Sequence, residues 1–171
     1  IGINRGDDLM GRIISNYLVS REIDVFAASM SPSKMLPQKN VIYFSSSKGK
    51  IFSWLSKINN ARAVIIGGGT LIQNDFGVFG VSGITAYISM VVLMAKVLGV
   101  PVYGTGLGVR RLNGVNKLYL TLLKMVNGYL VRDVSSKDIL MNYGVDGRKI
   151  EVGYDIGLNS KFYDDPDFSI N

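Results

Sequence analysis

The chain has 171 residues, with 19 Lys+Arg against 13 Asp+Glu for a formal net charge of +6, 20 glycines, and neither cysteine nor histidine. That length fits one domain with a real core, and a hydrophobic share of 47% excludes a disordered or collagen-like chain. Without Cys or His there is no disulfide framework, thiol nucleophile, Ser-His-Asp relay or Cys/His-ligated metal centre, so acid–base work falls to Asp, Glu, Lys or Tyr.

The predicted elements alternate between helix and strand. Leu9, Ile13, Ile14, Tyr17 and Leu18 form one apolar helical face over roughly 7–20. A short strand is expected over 23–27, then a Ser/Pro/Lys-rich loop over 29–40 and a strand over 41–44. Ile51, Trp54, Leu55 and Ile58 stripe the next helix at i, i+3, i+4, i+7. Residues 63–66 read as a buried strand. Between Asp75 and Lys96 all twenty residues are uncharged, the length of a membrane span. Glycines crowd the front of that run, though, and its dense apolar part is only 84–95, which fits a buried helix. A second buried strand is expected at 100–103. Val115, Leu118, Tyr119, Leu122 and Val126 stripe another helix, and 128–131 is strand-like. Asp133 can cap a helix running to about Tyr143 with Gly144 as its stop, and 149–152 closes the series.

About six or seven short strands separated by helices imply a Rossmann-like α/β domain, a parallel sheet with helices on both faces. Its binding crevice is expected beyond the carboxyl ends of the strands. The ends of the chain add an expectation of their own. There is no initiator Met, Ile1-Gly2-Ile3 enters a turn with no strand ahead of it, and the tail is polar, so the chain reads as a piece of a longer protein. No secretory signal is recognisable in it.

The positive charge favours anionic partners in a general way. Its only tight groups are Lys48/Lys50, Arg110/Arg111 and Arg148/Lys149, with no basic stripe interleaved with aromatics, so no nucleic-acid partner is expected.

Several segments next to strand ends carry polar or glycine-rich chemistry. In Asn4-Arg5-Gly6-Asp7-Asp8, Asn4 or Asp7 can cap the first helix, or the two can reach substrate hydroxyls. Gly67-Gly68-Gly69-Thr70 lacks the spacing of a dinucleotide fingerprint and the Lys-Ser/Thr ending of a P-loop. It is either a tight crossover or a ligand-approaching backbone, with Gln73, Asn74 and Asp75 close behind. In Gly104 to Arg111 the two arginines either face solvent or hold a carboxylate or phosphate by forked hydrogen bonds. Arg132-Asp133 reads as an ion pair plus helix cap, or as part of a site. Asp155 is a further candidate.

Taken in order, Asn4-x-Gly6-Asp7-Asp8, Ile65 to Gln73, Gly106-Leu107-Gly108, Val131-Arg132-Asp133 with Ser136, and Asp155 resemble the polysaccharide pyruvyl transferase family, over its N-terminal half. Two departures stand out: Thr105-Gly106-Leu107-Gly108-Val109 where the family tends to Gln-Gly-Ile-Gly-Pro, and Ile156-Gly157 where Pro-Ala usually follows the Asp. The resemblance implies a two-domain GT-B architecture. Residues 1–155 would be the acceptor-side domain and 156–171 the start of a linker toward a C-terminal domain. It implies transfer of pyruvate from phosphoenolpyruvate to a sugar as a ketal, in exopolysaccharide or cell-surface glycan synthesis, with no cofactor and no demand for a metal. Asp7 and Arg132 would be catalytic. Asn4, Gly67, Gly68, Gly69, Gln73, Arg110 and Asp155 would bind substrate. The expected partners are a sugar or lipid-linked glycan acceptor and the chain's own C-terminal domain. The expected location is cytoplasmic, with peripheral contact at the inner membrane face. The alternatives are a GT-B glycosyltransferase using a nucleotide sugar and a non-catalytic glycan-binding domain.

Overall fold

The amphipathic stripe near the start of the chain forms helix α1 (Arg5–Val19), and the computed structural model describes residues 5–29, 37, 39–45, 51–74, 83–112, 114 and 119–154. The helix leads to β1 (Val25–Ser29), β2 (Val41–Ser45), α2 (Ile51–Asn59), β3 (Val64–Ile72) and α3 (Ile84–Val97). After these come β4 (Val102–Val109), the single-turn α4 (Leu120–Leu123), β5 (Gly128–Val131) and α5 (Val134–Asn142). A 3-10 turn at Gly147–Lys149 feeds β6 (Ile150–Val152). The residues 115–118 of the predicted fourth helix lie outside the described residues, as do Asn4 and Asp155.

Every strand pair among the described residues is parallel. Two expectations are corrected. The described strands form not one sheet but two, β1-β2 and β3-β4-β5-β6. They are joined through helices: α1 packs on both β1 and β3, and Trp54 of α2 stacks edge-on between Phe44 of β2 and Tyr87 of α3, at 5.1 and 5.2 Å. Moreover, β3 and β4 do not stop before their glycines. Both run on through them, β3 to Ile72 and β4 to Val109, because each pairs with its neighbour along that stretch.

The core lies where α3, α4 and α5 cover the four-stranded sheet. Val92, Ala95, Val102, Val126, Val131 and Leu140 are wholly buried there. Helix α3 has 14 residues, about 21 Å at 1.5 Å per residue, well short of a ~30 Å hydrocarbon core. No helix among the described residues is long and apolar enough to cross a membrane. The opposite face is covered less evenly. Ile65 and Tyr103, register partners on β3 and β4, remain 40% and 45% exposed.

Candidate functional site

The site lies at the carboxyl ends of β3, β4 and β5. In β3, Gly68 and Gly69 adopt φ of +78° and +81°, a left-handed backbone that residues with a Cβ rarely take, and the register with β4 shifts between Thr70 and Ile72. Gly68 also has no room for a side chain, since a Cβ there would sit 2.8 Å from the Cβ of Met10. A Cβ on Gly67 would run into Ile14, one turn further along α1. The glycines therefore let α1 settle directly on the strand. With Ile14 over Gly67 and Met10 over Gly68, the helix runs against the direction of β3. Its first turn, which carries Asp7, is thus aimed toward the strand's carboxyl end. The Asp7 side chain lies outside the described residues.

Just beyond β3, Gln73 is held by Thr85 in the first turn of α3. The buried Thr85 hydroxyl donates to the Gln73 carbonyl at 2.8 Å and accepts the Gln73 N–H at 3.2 Å. Arg110, just beyond β4, donates its N–H to the Ile72 carbonyl at 2.8 Å, while its side chain is exposed. Two residues on, the Leu112 N–H donates to the Tyr143 hydroxyl at 2.9 Å, fastening the basic pair Arg110/Arg111 to the end of α5.

Arg132 is the best-defined cation of the group. It leaves the end of β5 and its N–H donates to the Leu107 carbonyl of β4 at 3.0 Å. Its side chain crosses β4 at Gly108, whose register partner on β3 is Thr70. There the guanidinium Nη2 donates to Thr70 Oγ1 at 3.0 Å and Nε donates to Asp133 Oδ2 at 3.2 Å. A Cβ on Gly108 would lie 2.8 Å from both Cζ and Nε of Arg132, so the missing side chain is the guanidinium's seat. The side chain is 32% exposed, desolvated enough for its charge to act at short range yet reachable from the rim.

Asp133 serves two purposes at once. It caps α5, accepting the Ser136 N–H at 2.6 Å, while its other oxygen holds Arg132. Burial pulls its carboxyl upward. The hydrogen bonds from Ser136 and Arg132, with the charge of Arg132, outweigh that and hold it below its usual pKa. Ser136, buried beneath, accepts the Val109 N–H on its hydroxyl at 2.9 Å. One connected network therefore joins the ends of β3, β4 and β5.

Of the residues singled out in the sequence, Gly67, Gly68, Gly69, Gln73, Arg110 and Arg132 occupy the carboxyl half of this sheet, and the backbone of Asp7 lies in the helix turn aimed at it. Thr70, Gly108 and Ser136 were not singled out for a role. Their importance depends on strand register, which the sequence does not display. The spacing of Gly104, Gly106 and Gly108 at every second residue is the one local hint that the glycine segment is strand.

Comparison with curated proteins and with solved structures gives no match. The family model described as polysaccharide pyruvyl transferase matches residues 4–170, nearly the whole chain. With a parallel α/β fold whose polar and glycine-rich strand ends converge, the chain belongs to the polysaccharide pyruvyl transferase family.

Proposed function

We propose that this domain is the acceptor-side half of a GT-B-type enzyme that transfers pyruvate from phosphoenolpyruvate to a sugar, forming a cyclic ketal. The chemistry sets the demands. The donor's methylene carbon takes a proton, making C2 electrophilic. One sugar hydroxyl adds to C2, the C2–O bond to phosphate breaks, and a second hydroxyl closes the ketal. The two hydroxyl protons end on the new methyl group and on the released phosphate. Donor binding needs cations for a carboxylate and a phosphate, and the hydroxyls need a base or an orienting acceptor.

The observation that carries this reading is the guanidinium of Arg132, fixed over Gly108 by Thr70 and Asp133 at the carboxyl end of a parallel sheet. In an α/β domain that edge is where ligands bind. Arg132, with Arg110, neutralises the donor. Asp7 is the base or hydroxyl orienter, while Asn4, Gln73 and the 67–69 segment shape the acceptor pocket, the glycines by drawing α1 onto the strand. Asp155 stands as a further substrate contact. The donor is a metabolite of the cytosol, which places the reaction in the cytoplasm, with a lipid-linked glycan acceptor met at the inner membrane face.

The test is ketal formation by the full-length protein supplied with phosphoenolpyruvate and an acceptor glycan. Arg132→Ala is expected to lower kcat/KM by about 100-fold or more, as loss of a preorganised charge donor does. Asp7→Asn is expected to lower it by about 100-fold, as loss of a general base does. Wild-type rates in both variants overturn the role assignments. Glycan binding with no turnover in the intact wild type overturns the enzymatic reading.

A further inference from the structure

Helix α3 carries no charge before Lys96 and is apolar nearly all round, the pattern of a helix covered on every side. The sheet, α2 and α4 cover most of it, yet Val97 is 78% exposed and Leu93, one turn earlier, is exposed too. With half-buried Met90 they form one stripe at i, i+3, i+7. Exposed Met125 continues it beside the end of α3, where Lys96 Nζ donates to Asn127 Oδ1 at 2.9 Å and holds the two segments together. Single exposed apolar residues are ordinary, but a stripe of them marks a surface that meets a partner.

The charge around the stripe has one sign. Between Asp24 and Asp133 the chain carries 12 Lys and Arg and one acid, Asp75. On α2, α3 and α4 and the turns that follow them, every charged residue is basic: Lys57, Arg62, Lys96 and Lys124. Lys57 lies over the Phe26 ring at 4.4 Å. The other three surround the end of α3. Lys96 is in its last turn, and Lys124 directly precedes Met125. The Val64 N–H, donating to the Pro101 carbonyl at 2.9 Å, ties the Arg62 segment alongside. Among the described residues none of the three is in an ion pair. Lys124 Nζ lies against Gly144, and Asp146, two residues on, is already held by Arg148 at 2.7 Å.

We propose that this face of α3 docks the protein on an anionic lipid surface. Met90, Leu93, Val97 and Met125 enter the headgroup boundary, while Arg62, Lys96 and Lys124 meet the lipid anions. A second copy does not fit, because a two-fold interface would set these cations against their own counterparts with no acid to answer them. The first turn of α3 is at the candidate site, where Thr85 holds Gln73. A helix lying flat on the lipid therefore keeps the carboxyl ends of the strands beside the membrane. That docking serves a lipid-linked acceptor rests on the pyruvyl-transfer reading; docking itself rests on the exposed stripe and the one-signed charge.

Binding of the full-length protein is measured by sedimentation with vesicles of phosphatidylcholine alone and of phosphatidylcholine mixed with phosphatidylserine. The wild type is expected to bind the anionic vesicles at least about 10-fold more tightly, and to lose that preference at high salt. Val97→Asp and Lys124→Glu, both at exposed positions, are each expected to weaken anionic-vesicle binding about 10-fold. Arg21→Glu makes the same change in net charge just after α1, which packs through Ile14 on the opposite face of the sheet. It is expected to stay within about threefold of the wild type. Val97→Ser replaces Val97→Asp if the latter fails to fold.

Equal binding to the two kinds of vesicle, or binding to neither, overturns the docking surface. Wild-type affinity in Val97→Asp and Lys124→Glu does so too, as does an equal loss in Arg21→Glu, which would assign the effect to net charge. A dimer that Val97→Asp dissolves, with no vesicle binding, overturns it in favour of a second copy. Docking that follows the expected pattern with no ketal formed overturns the pyruvyl-transfer reading and leaves the docking standing. Ketal formation on a soluble acceptor without docking does the reverse.

Discussion

The two ends of the four-stranded sheet use similar polar residues to different effect. At the amino end, Asn127 Oδ1 accepts Lys96 Nζ at 2.9 Å and the Val102 N–H at 3.0 Å, while its own N–H donates to the Val102 carbonyl at 2.8 Å. Two of these three bonds end on the backbone of β4, and together they close the turn before β5. At the carboxyl end a chain of side-chain bonds is added, in which Arg132, just beyond β5, donates to Thr70 of β3 and to its neighbour Asp133. A glycine is kept bare beneath them. The nearest atoms a Cβ on Gly108 would meet all belong to the Arg132 side chain, whereas one on Gly68 would meet Met10 at its Cβ. Gly68 thus serves the fold and Gly108 serves the placement of a charge.

The sharpest way to break this contrast is Gly108→Ala. The atoms in the way are the end of a flexible side chain, so the strand can keep its course while the guanidinium is pushed off its seat. Stability is expected to change by less than about 1 kcal/mol, since alanine also restricts the unfolded chain. Activity of the full-length protein is expected to fall about 100-fold, because a displacement on the order of 1 Å spoils a preorganised contact. A thermal melt and a ketal assay on the same preparation separate the two. A variant that loses stability in step with activity would place Gly108 with Gly68.

The uneven legibility of the chain follows from the same contrast. Helix α5 could be read with its cap at Asp133 and its stop at Gly144, which has φ +83°, because capping is a matter of local chemistry. The apolar stripes of α1 and α2 were visible for a related reason: periodicity is local too. The carboxyl halves of β3 and β4 were not. Glycine has poor strand propensity, and Gly67 to Gly69 or Gly104 to Gly108 becomes strand only because the neighbouring strand supplies its hydrogen bonds. The candidate site shows the same division. Arg132, Gln73 and Arg110 were legible as polar residues after strands, but the seat of Arg132 depends on Thr70 facing Gly108, a register that no spacing in the sequence encodes.

The next test probes the amino end. Asn127→Ala removes the acceptor of the Val102 N–H, on a residue that is wholly buried, and an orphaned donor there costs about 1–3 kcal/mol. For a domain of this size that is a fall in Tm of roughly 5 °C, read by thermal denaturation. Since Asn127 lies at the end of the sheet away from the candidate site, kcat/KM at a temperature where the variant is folded should match the wild type. A loss of activity without a loss of Tm would mean that the two ends are not separate in function.

The smallest expected effect isolates the charge on Asp133. Asparagine caps helices about as well as aspartate, so Asp133→Asn keeps the bond to the Ser136 N–H and removes the ion pair with Arg132. The carboxyl is held below its usual pKa in the folded state, so its contribution is present in full above the ordinary carboxylate range. That contribution is lost as the pH falls through the lowered value. The group is 44% exposed, so solvent screens much of the effect, and the wild type is expected to exceed the variant by less than about 1 kcal/mol at pH 7. Stabilities measured from pH 7 downward should converge only once the pH has fallen through the lowered pKa, where the carboxyl has become a neutral group like the amide that replaces it. A difference that persists unchanged at acid pH would assign the effect to altered capping geometry, and the carboxylate would then hold Arg132 by shape rather than by charge.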